Sequence, residues 1–272
     1  MIKGEKRNNS ISFVTTDDAK KIETLPLNKI LQDSFKNTFK NVFDLSIDDK
    51  TSLLKQKMKE GTEPLDQFFN ISFGLKTGDD DKYLTFDPSI SPLCKRLVRG
   101  ADINRWIINF KGEYVIYDTM GMRKNKKTAR PGSKERFEQP KVLVRDTGSG
   151  LMATFDNENY YVKDVLILED INRNVPQLKM LSALLNSKAM RWFYESTFPT
   201  LHVQRDELAS LPIPTSIFTS FYLNKVSIIV DKIINDKKEG KDTSYEENEI
   251  DQFFYQFYKF SEDEIKIMDR IL

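Results

Sequence analysis

The spacing of apolar positions changes along the chain. Leu31, Phe35, Phe39 and Phe43 recur every fourth residue inside a polar, Lys/Asn-rich run from Lys29 to Asp49. That period is helical and predicts one amphipathic helix ahead of a connecting segment. From Leu65 the pattern shortens into apolar runs broken by Gly, Pro and Asp: Phe68 to Leu75, Tyr83 to Phe86, Trp106 to Phe110, Tyr114 to Tyr117, Lys141 to Val144 and Val162 to Leu168. Short runs rich in Ile, Val, Tyr and Phe between turn-forming residues predict strands. Asn174 and Pro176 then open a helix, because an amide side chain caps well and a proline needs no amide partner in the first turn. Leu178, Leu181, Leu184, Leu185, Met190 and Phe193 carry it to about Glu195. LPIP at Leu211 to Pro214 is an extended stop, since a residue before proline is pushed out of the helical region.

Beyond that stop the spacing is helical again. Leu223, Val226, Val230, Ile233 and Ile234 form a stripe ended by Lys237, Lys238 and Gly240. Ile250, Phe253, Phe254 and Phe257 form another between Glu249 and Tyr258. Ser261 with Glu264 makes a capping box for a last helix that turns Ile265, Met268 and Leu272 inward. No internal repeat or low-complexity tract interrupts this order. The expected fold class is α+β: a central mixed or antiparallel β-rich domain with long irregular loops, followed by a C-terminal helical segment. The expected divisions are a linker or helical tail over 1–60, a β-rich domain over 61–215 and a helical subdomain over 216–272.

Composition narrows the chemistry. The 272 residues are 39% hydrophobic and 31% charged, and 19 Phe, 10 Tyr and 2 Trp can anchor a core. A single Cys and a single His exclude an intrachain disulfide and a closed structural zinc site. Cys94 fits a reducing compartment. No apolar run approaches the roughly 18 residues of a membrane span, and the first residues carry no apolar stretch of a secretory signal. A cytoplasmic location without membrane partners is therefore expected.

The net charge of +1 conceals segregation. Between Lys95 and Arg145 stand fourteen basic and five acidic residues, whereas from Asp236 to Leu272 there are six basic and eleven acidic ones. Such asymmetry points to a polyanion-facing surface in one place and a solvated or partner-facing one in another. The basic segment is densest from Arg123 to Gly132, too charged to bury and too poor in apolar residues to fold alone, so an exposed loop is expected. Arg123, Lys124, Lys126, Lys127 and Arg130 can neutralise phosphates there, while Arg, Asn and Gln at strand ends can contact base edges. The bland alternative is a protein-interaction or scaffold domain whose basic loop only keeps it soluble.

No catalytic apparatus is recognisable. DTGS at Asp146 to Ser149 is the tempting string, but a shared-proton carboxylate pair needs two such turns and only one is present. It reads instead as a hairpin turn between the strands Lys141 to Val144 and Val162 to Leu168, with Gly148 and Gly150 at positive φ. The P-loop and dinucleotide glycine patterns are missing, as are a nucleophile elbow and a paired-histidine zinc helix. Asp79, Asp80 and Asp81 lack the ligand spacing of a calcium loop and read as a solvated turn. His202 sits in a polar context and reads as surface or groove-lining. Trp106, followed by Ile107 and Ile108, reads as core.

Six strings occur in order: LDQFFNISFGLKTG from Leu65, VRGADINRW from Val98, KVLVR from Lys141, LLNSK from Leu184, LASLPIP from Leu208 and EIDQFFYQFYKFSEDEI from Glu249. Together, from about residue 61 to the C-terminus, they resemble the TaqI-like C-terminal specificity domain of adenine-specific DNA methyltransferases and of restriction-modification enzymes that fuse cleavage, methylation and recognition. The resemblance implies target recognition on double-stranded DNA opposite a methyltransferase domain or subunit, with the target adenine flipped there. It places GLKTG and RGADINRW near the DNA, with Lys76, Thr77, Arg99 and Arg105 as contacts. Arg123 to Arg130 would clamp phosphates, and Arg145, Thr147, His202, Gln204 and Arg205 join the set. The terminal helices would be structural or domain-docking. A Gly-rich S-adenosylmethionine loop and an (N/D)PP(Y/F) motif do not occur in these 272 residues. The chain alone is therefore expected to be no enzyme and to hold no cofactor, S-adenosylmethionine belonging to the catalytic half. A fragment, a truncated product or a separately encoded recognition subunit would each fit.

Overall fold

The computed structural model describes residues 10–14, 19–31, 49–148, 150–198 and 200–269. The chain divides into two units, Met1–Leu54 and Lys55–Leu272. In the first, β1 (Ser10–Phe13) and β2 (Asn28–Leu31) pair antiparallel, Ser10 against Leu31 and Phe13 against Asn28, around a 3-10 turn at Ala19–Thr24. The helix expected from Lys29 does not begin there, because Lys29 to Leu31 are spent on this ladder. Phe35, Phe39 and Phe43 lie outside the described residues. A helix the spacing did not announce, α1 (Asp49–Lys59), runs across the division.

The second unit is α+β. In chain order it contains β3 (Thr62–Pro64), β4 (Phe69–Phe73), α2 (Asp80–Tyr83), β5 (Leu84–Thr85), β6 (Cys94–Arg99), β7 (Ile103–Asn104), β8 (Ile107–Ile108), β9 (Tyr114–Ile116), α3 (Thr119–Asn125) and α4 (Lys134–Phe137). There follow β10 (Lys141–Arg145), β11 (Ala153–Asp156), β12 (Tyr161–Lys163), β13 (Val165–Asp170), α5 (Val175–Asn186), α6 (Lys188–Thr197), α7 (Arg205–Ala209), β14 (Pro212–Pro214), α8 (Ser220–Lys238), α9 (Ser244–Phe257) and α10 (Glu262–Met268). One four-stranded sheet has the antiparallel order β11-β10-β13-β4, and the other, β12-β6-β9-β5, is mixed because β12 runs parallel to β6. LPIP is extended as expected, and its last three residues form β14 against β3.

The apolar run Val162 to Leu168 is two strands rather than one. Asp164 breaks it with φ +57, sending β12 into one sheet and β13 into the other. The turn containing DTGS also leads elsewhere than expected. Gly148 and Gly150 have positive φ, but β10 turns into β11, and β13 pairs along its opposite edge. β10 reads KVLVR without alternation because α5 packs on a strand already flanked on both edges, and its first four residues are buried. Lys141 and Asp156 form a fully buried ion pair at 2.5 Å, and Lys141 Nζ also donates to the Phe137 carbonyl at 2.7 Å. Asp156 accepts from the amides of Glu158 and Tyr160, tying β11 to the turn before β12.

The helix expected from Asn174 to about Glu195 breaks into α5 and α6 at Ser187. This residue has ψ 146°, and its Oγ accepts from the Met190 amide as the cap of α6. α9 starts at Ser244, five positions before Glu249. The Ser261 capping box forms, with the Ser261 amide donating to Glu264 Oε2 at 2.7 Å, and Met268 is buried. α8 packs against α5, so the terminal helices belong to the same unit as the sheets. No helix among the described residues is long and apolar enough to cross a membrane.

Candidate nucleic-acid interface

The basic segment begins as a helix. α3 is capped by Asp118, whose carboxylate accepts from the Gly121 amide at 2.9 Å, and it is anchored by fully buried Met122. Arg123 and Lys124 therefore lie on the exposed side of its last turn rather than in a loop. From Lys126 the chain is non-helical, and only Ala129 is buried before Pro131. Two backbone hydrogen bonds fix this loop to the other edge of the site: Arg130 N to Lys76 O at 2.8 Å and Lys76 N to Arg130 O at 2.9 Å. Gly78, at φ +80, allows the approach; a Cβ there would stand 2.8 Å from Lys126 Cβ.

The result is an open cleft of about 990 Å³. Its basic side chains are Lys76, Arg123, Lys126, Lys127, Arg130, Arg136 and Arg205, and no carboxylate lines it. Arg205 opens α7 and is held by a hydrogen bond from Nε to the Ile71 carbonyl at 3.1 Å. Arg130 donates from Nη1 to the carbonyls of Lys127 and Ala129 and has no carboxylate within ion-pair distance among the described residues. Ile71, Phe73, Ala129 and Pro131 supply the apolar part of the lining. Seven cations face this open space and no carboxylate lines it; apart from Arg136, which lies 3.8 Å from Glu169, they have no carboxylate within ion-pair distance among the described residues, so a positive potential is focused there.

Six of the sequence-derived candidates meet in this cleft and the rest do not. Lys124 faces a neighbouring depression with Lys82 and Asp118. Thr77 is buried, and its hydroxyl donates to Asp80 at 2.5 Å. Asp80 is no solvated turn residue, because Lys163 pairs with it. Burial works against its ionised form, but the hydrogen bonds from Lys163 and Thr77 outweigh that and hold its carboxyl below the usual range. Arg99 makes a bidentate pair with Glu113, both contacts at 2.6 Å, and Arg105 pairs with Glu247 at 3.2 Å. Arg145 Nε donates to the Thr147 carbonyl at 2.5 Å. Thr147 bridges to His202, its hydroxyl 3.4 Å from Nδ1, which ties the DTGS turn to the segment before α7. The Gln204 amide donates to Glu207 at 3.0 Å at the start of α7. Trp106 is core, 1% exposed.

Two cleft residues escaped the sequence reading. Arg136 lies on α4, beyond the densest charge, 3.8 Å from Glu169. Phe73 read as one more strand residue, yet it is exposed. The described residues contain no group of three or more His, Cys, Asp or Glu able to hold a metal ion.

Residues 95–213 match the family model of the TaqI-like C-terminal specificity domain, a narrower span than the strings from about residue 61 onward implied. Six of the seven cleft cations fall inside it, and Lys76 precedes it. No curated protein matches the chain. Among solved structures, a crystal structure of the HsdS subunit from Thermoanaerobacter tengcongensis is similar with a TM-score of 0.40 and 9% identity, over 78% of this chain and 51% of that one. The chain thus spans about half the length of that subunit.

Proposed function

We propose, from the match of residues 95–213 to the TaqI-like C-terminal specificity domain, that this chain is a DNA target-recognition module of a restriction-modification system. The observation that carries the reading is the cleft, in which seven basic side chains and no acidic one converge from three separate stretches of chain. A groove that tracks phosphates needs uncompensated Lys and Arg on a fixed scaffold, and it needs them close enough together to release several counterions at once. In this reading Lys76, Arg123, Lys126, Lys127, Arg130, Arg136 and Arg205 hold the duplex backbone. Lys124 extends the same basic surface along α3. Arg145, Thr147 and His202, on the segment joined to α7, are placed to meet the duplex beyond the cleft. Thr77, Arg99 and Arg105 are supports of the frame, given the partners their side chains already have, and Gln204, held through its backbone amide, keeps an exposed side chain at the start of α7.

The finer part of the reading is that the module serves an adenine-specific methyltransferase supplied as another domain or subunit. That partner would hold S-adenosylmethionine and perform the chemistry in the cytoplasm, and the present chain would fix the register on the duplex. Support comes from the family description and from the absence of a methyl-donor loop in these 272 residues.

Duplex binding as a function of salt tests it. Five or six engaged phosphates predict a slope of about −5 in log affinity against log salt, each contact adding about 0.9. Absence of salt-dependent binding at low ionic strength would overturn the proposal and leave the scaffold reading in its place.

A further inference from the structure

Phe73 is out of place for a phosphate-binding wall. Phe69, Ile71 and Phe73 alternate along β4 and so share one face of it; the first two are buried and the third is 54% exposed. The apolar row outruns its cover at the point where the strand enters the cleft. β4 is the edge strand of its sheet, and the ring is held on a rigid mount. The Gly74 amide donates to the Val165 carbonyl at 2.9 Å, the Leu75 amide donates to the Val162 carbonyl at 2.8 Å, and a Cβ on Gly74 would lie 2.4 Å from the Val162 oxygen. Only glycine fits that approach, so the residue after Phe73 is clamped where the two sheets meet. On the other side, Arg205 grips the Ile71 carbonyl.

More than half of the Phe73 surface is left uncovered by the fold. Among the described residues the aromatic contacts and stacked cations belong to other rings, such as Phe137 on Tyr161 and Arg96 over Tyr160, and none to Phe73. For an exposed benzyl group between cations that bind phosphates, the largest complementary surface in a duplex is the face of a base. That face becomes available only where a base step opens. Stacking of this kind is indifferent to base identity, so it adds binding strength and shape without specifying sequence.

We propose that Phe73 is a wedge: it enters a base step of the duplex lying in the cleft, part-unstacks it and bends the DNA toward the basic loop. This rests on the DNA-recognition reading above and adds to it a distorted, rather than straight, bound duplex.

The test uses the full chain and a short duplex recovered by it from a randomised pool. 2-Aminopurine replaces the base at each step in turn, and a second duplex carries a mismatch at the responsive step. Wild type should raise the 2-aminopurine emission at one step and should prefer the mismatched duplex by about tenfold, because its opening cost is already met. Phe73→Ala should lose both the emission and the preference while keeping the salt slope, which shows that the variant is folded and still on phosphates. Phe73→Trp should keep all three. Retention of emission and preference by Phe73→Ala would overturn the wedge and leave DNA binding standing. No salt-dependent binding by wild type would overturn both.

Discussion

Two groups of cations share the segment from Lys95 to Arg145 and differ in what surrounds them. Lys95, Arg96, Arg99, Arg105, Lys111, Lys134, Arg136 and Lys141 each lie within ion-pair distance of a carboxylate: Glu138, Glu158, Glu113, Glu247, Asp102, Glu138 again, Glu169 and Asp156. Arg123, Lys124, Lys126, Lys127 and Arg130 have none among the described residues. The partners of the first group come from as far away as α9, which belongs to the acidic tail, so part of that tail neutralises this segment. Six of the fourteen basic residues, Arg145 included, keep no carboxylate partner among the described residues, and four of the six line one cleft. A charge already paired in the fold must break that pair before it can serve a phosphate, whereas an unpaired one has only water and loose counterions to give up.

The strongest contrast is expected at Lys141. Burial pushes its ammonium below the ordinary value even though Asp156 sits beside it. Asp156→Asn leaves that ammonium buried without its counter-charge and should cost about 3–5 kcal/mol of unfolding free energy in urea titrations. The lysine then binds its proton less readily folded than unfolded. The sign follows: the variant should recover stability as pH rises through the folded-state value toward about 10.4, the window in which the unfolded chain holds the extra proton. A loss of under 1 kcal/mol would show that the pair is not an internal strut.

Next in size is the unpaired group. Lys126→Glu, Lys127→Glu and Arg130→Glu together should weaken binding to every duplex by about a hundredfold at low salt and flatten the salt slope by about three contacts. The midpoint of thermal unfolding should hold or rise slightly, since a like-charge cluster is relieved. A fall in the midpoint with unchanged binding would invert the comparison. A milder cut, Lys76→Ala, removes one cation at the opposite wall. It should cost a few-fold in affinity, uniformly across sequences, with about 0.9 off the slope.

How much of this was legible beforehand follows from the range of the interactions involved. Local signals were readable: the Asn174 and Ser261 caps, the Gly240 stop at φ +71, and the extended LPIP all form where spacing and side-chain chemistry put them. The exposed basic loop was readable because its composition forbids burial. The splits at Asp164 and Ser187 were not, because the polar residues there, Lys163 with Asp164 and Asn186 to Lys188, fit the exposed side of one continuous element equally well, and the switch between sheets and the helix restart are tertiary choices. The cleft was half legible for the same reason. Lys76, Arg130 and Arg205 face one space only because a two-hydrogen-bond bridge joins Lys76 to Arg130 and Arg205 holds the Ile71 carbonyl. Phe73 could not be told from Phe69 and Ile71 by alternation, since its exposure records where the cover ends.

The smallest effect is the most discriminating. Arg99 was a DNA contact by resemblance, and in the fold its guanidinium is clasped by Glu113, whose side chain is 12% exposed against 38% for the arginine. Glu113 holds the arginine's proton still more firmly than usual, with burial opposing it. Glu113→Gln keeps the shape and one acceptor but removes the charge, and because water reaches the exposed arginine end of the pair the stability loss should be about 1 kcal/mol. Two outcomes for DNA then separate the two groups of cations. If Arg99 is a strut, duplex affinity and salt slope stay within twofold of wild type, because Arg99 does not line the cleft and its release adds no phosphate contact. If the slope steepens by about 0.9 and the affinity rises, the freed guanidinium has found a phosphate. The division between paired and unpaired cations would then be a regulated balance instead of a fixed feature of the fold.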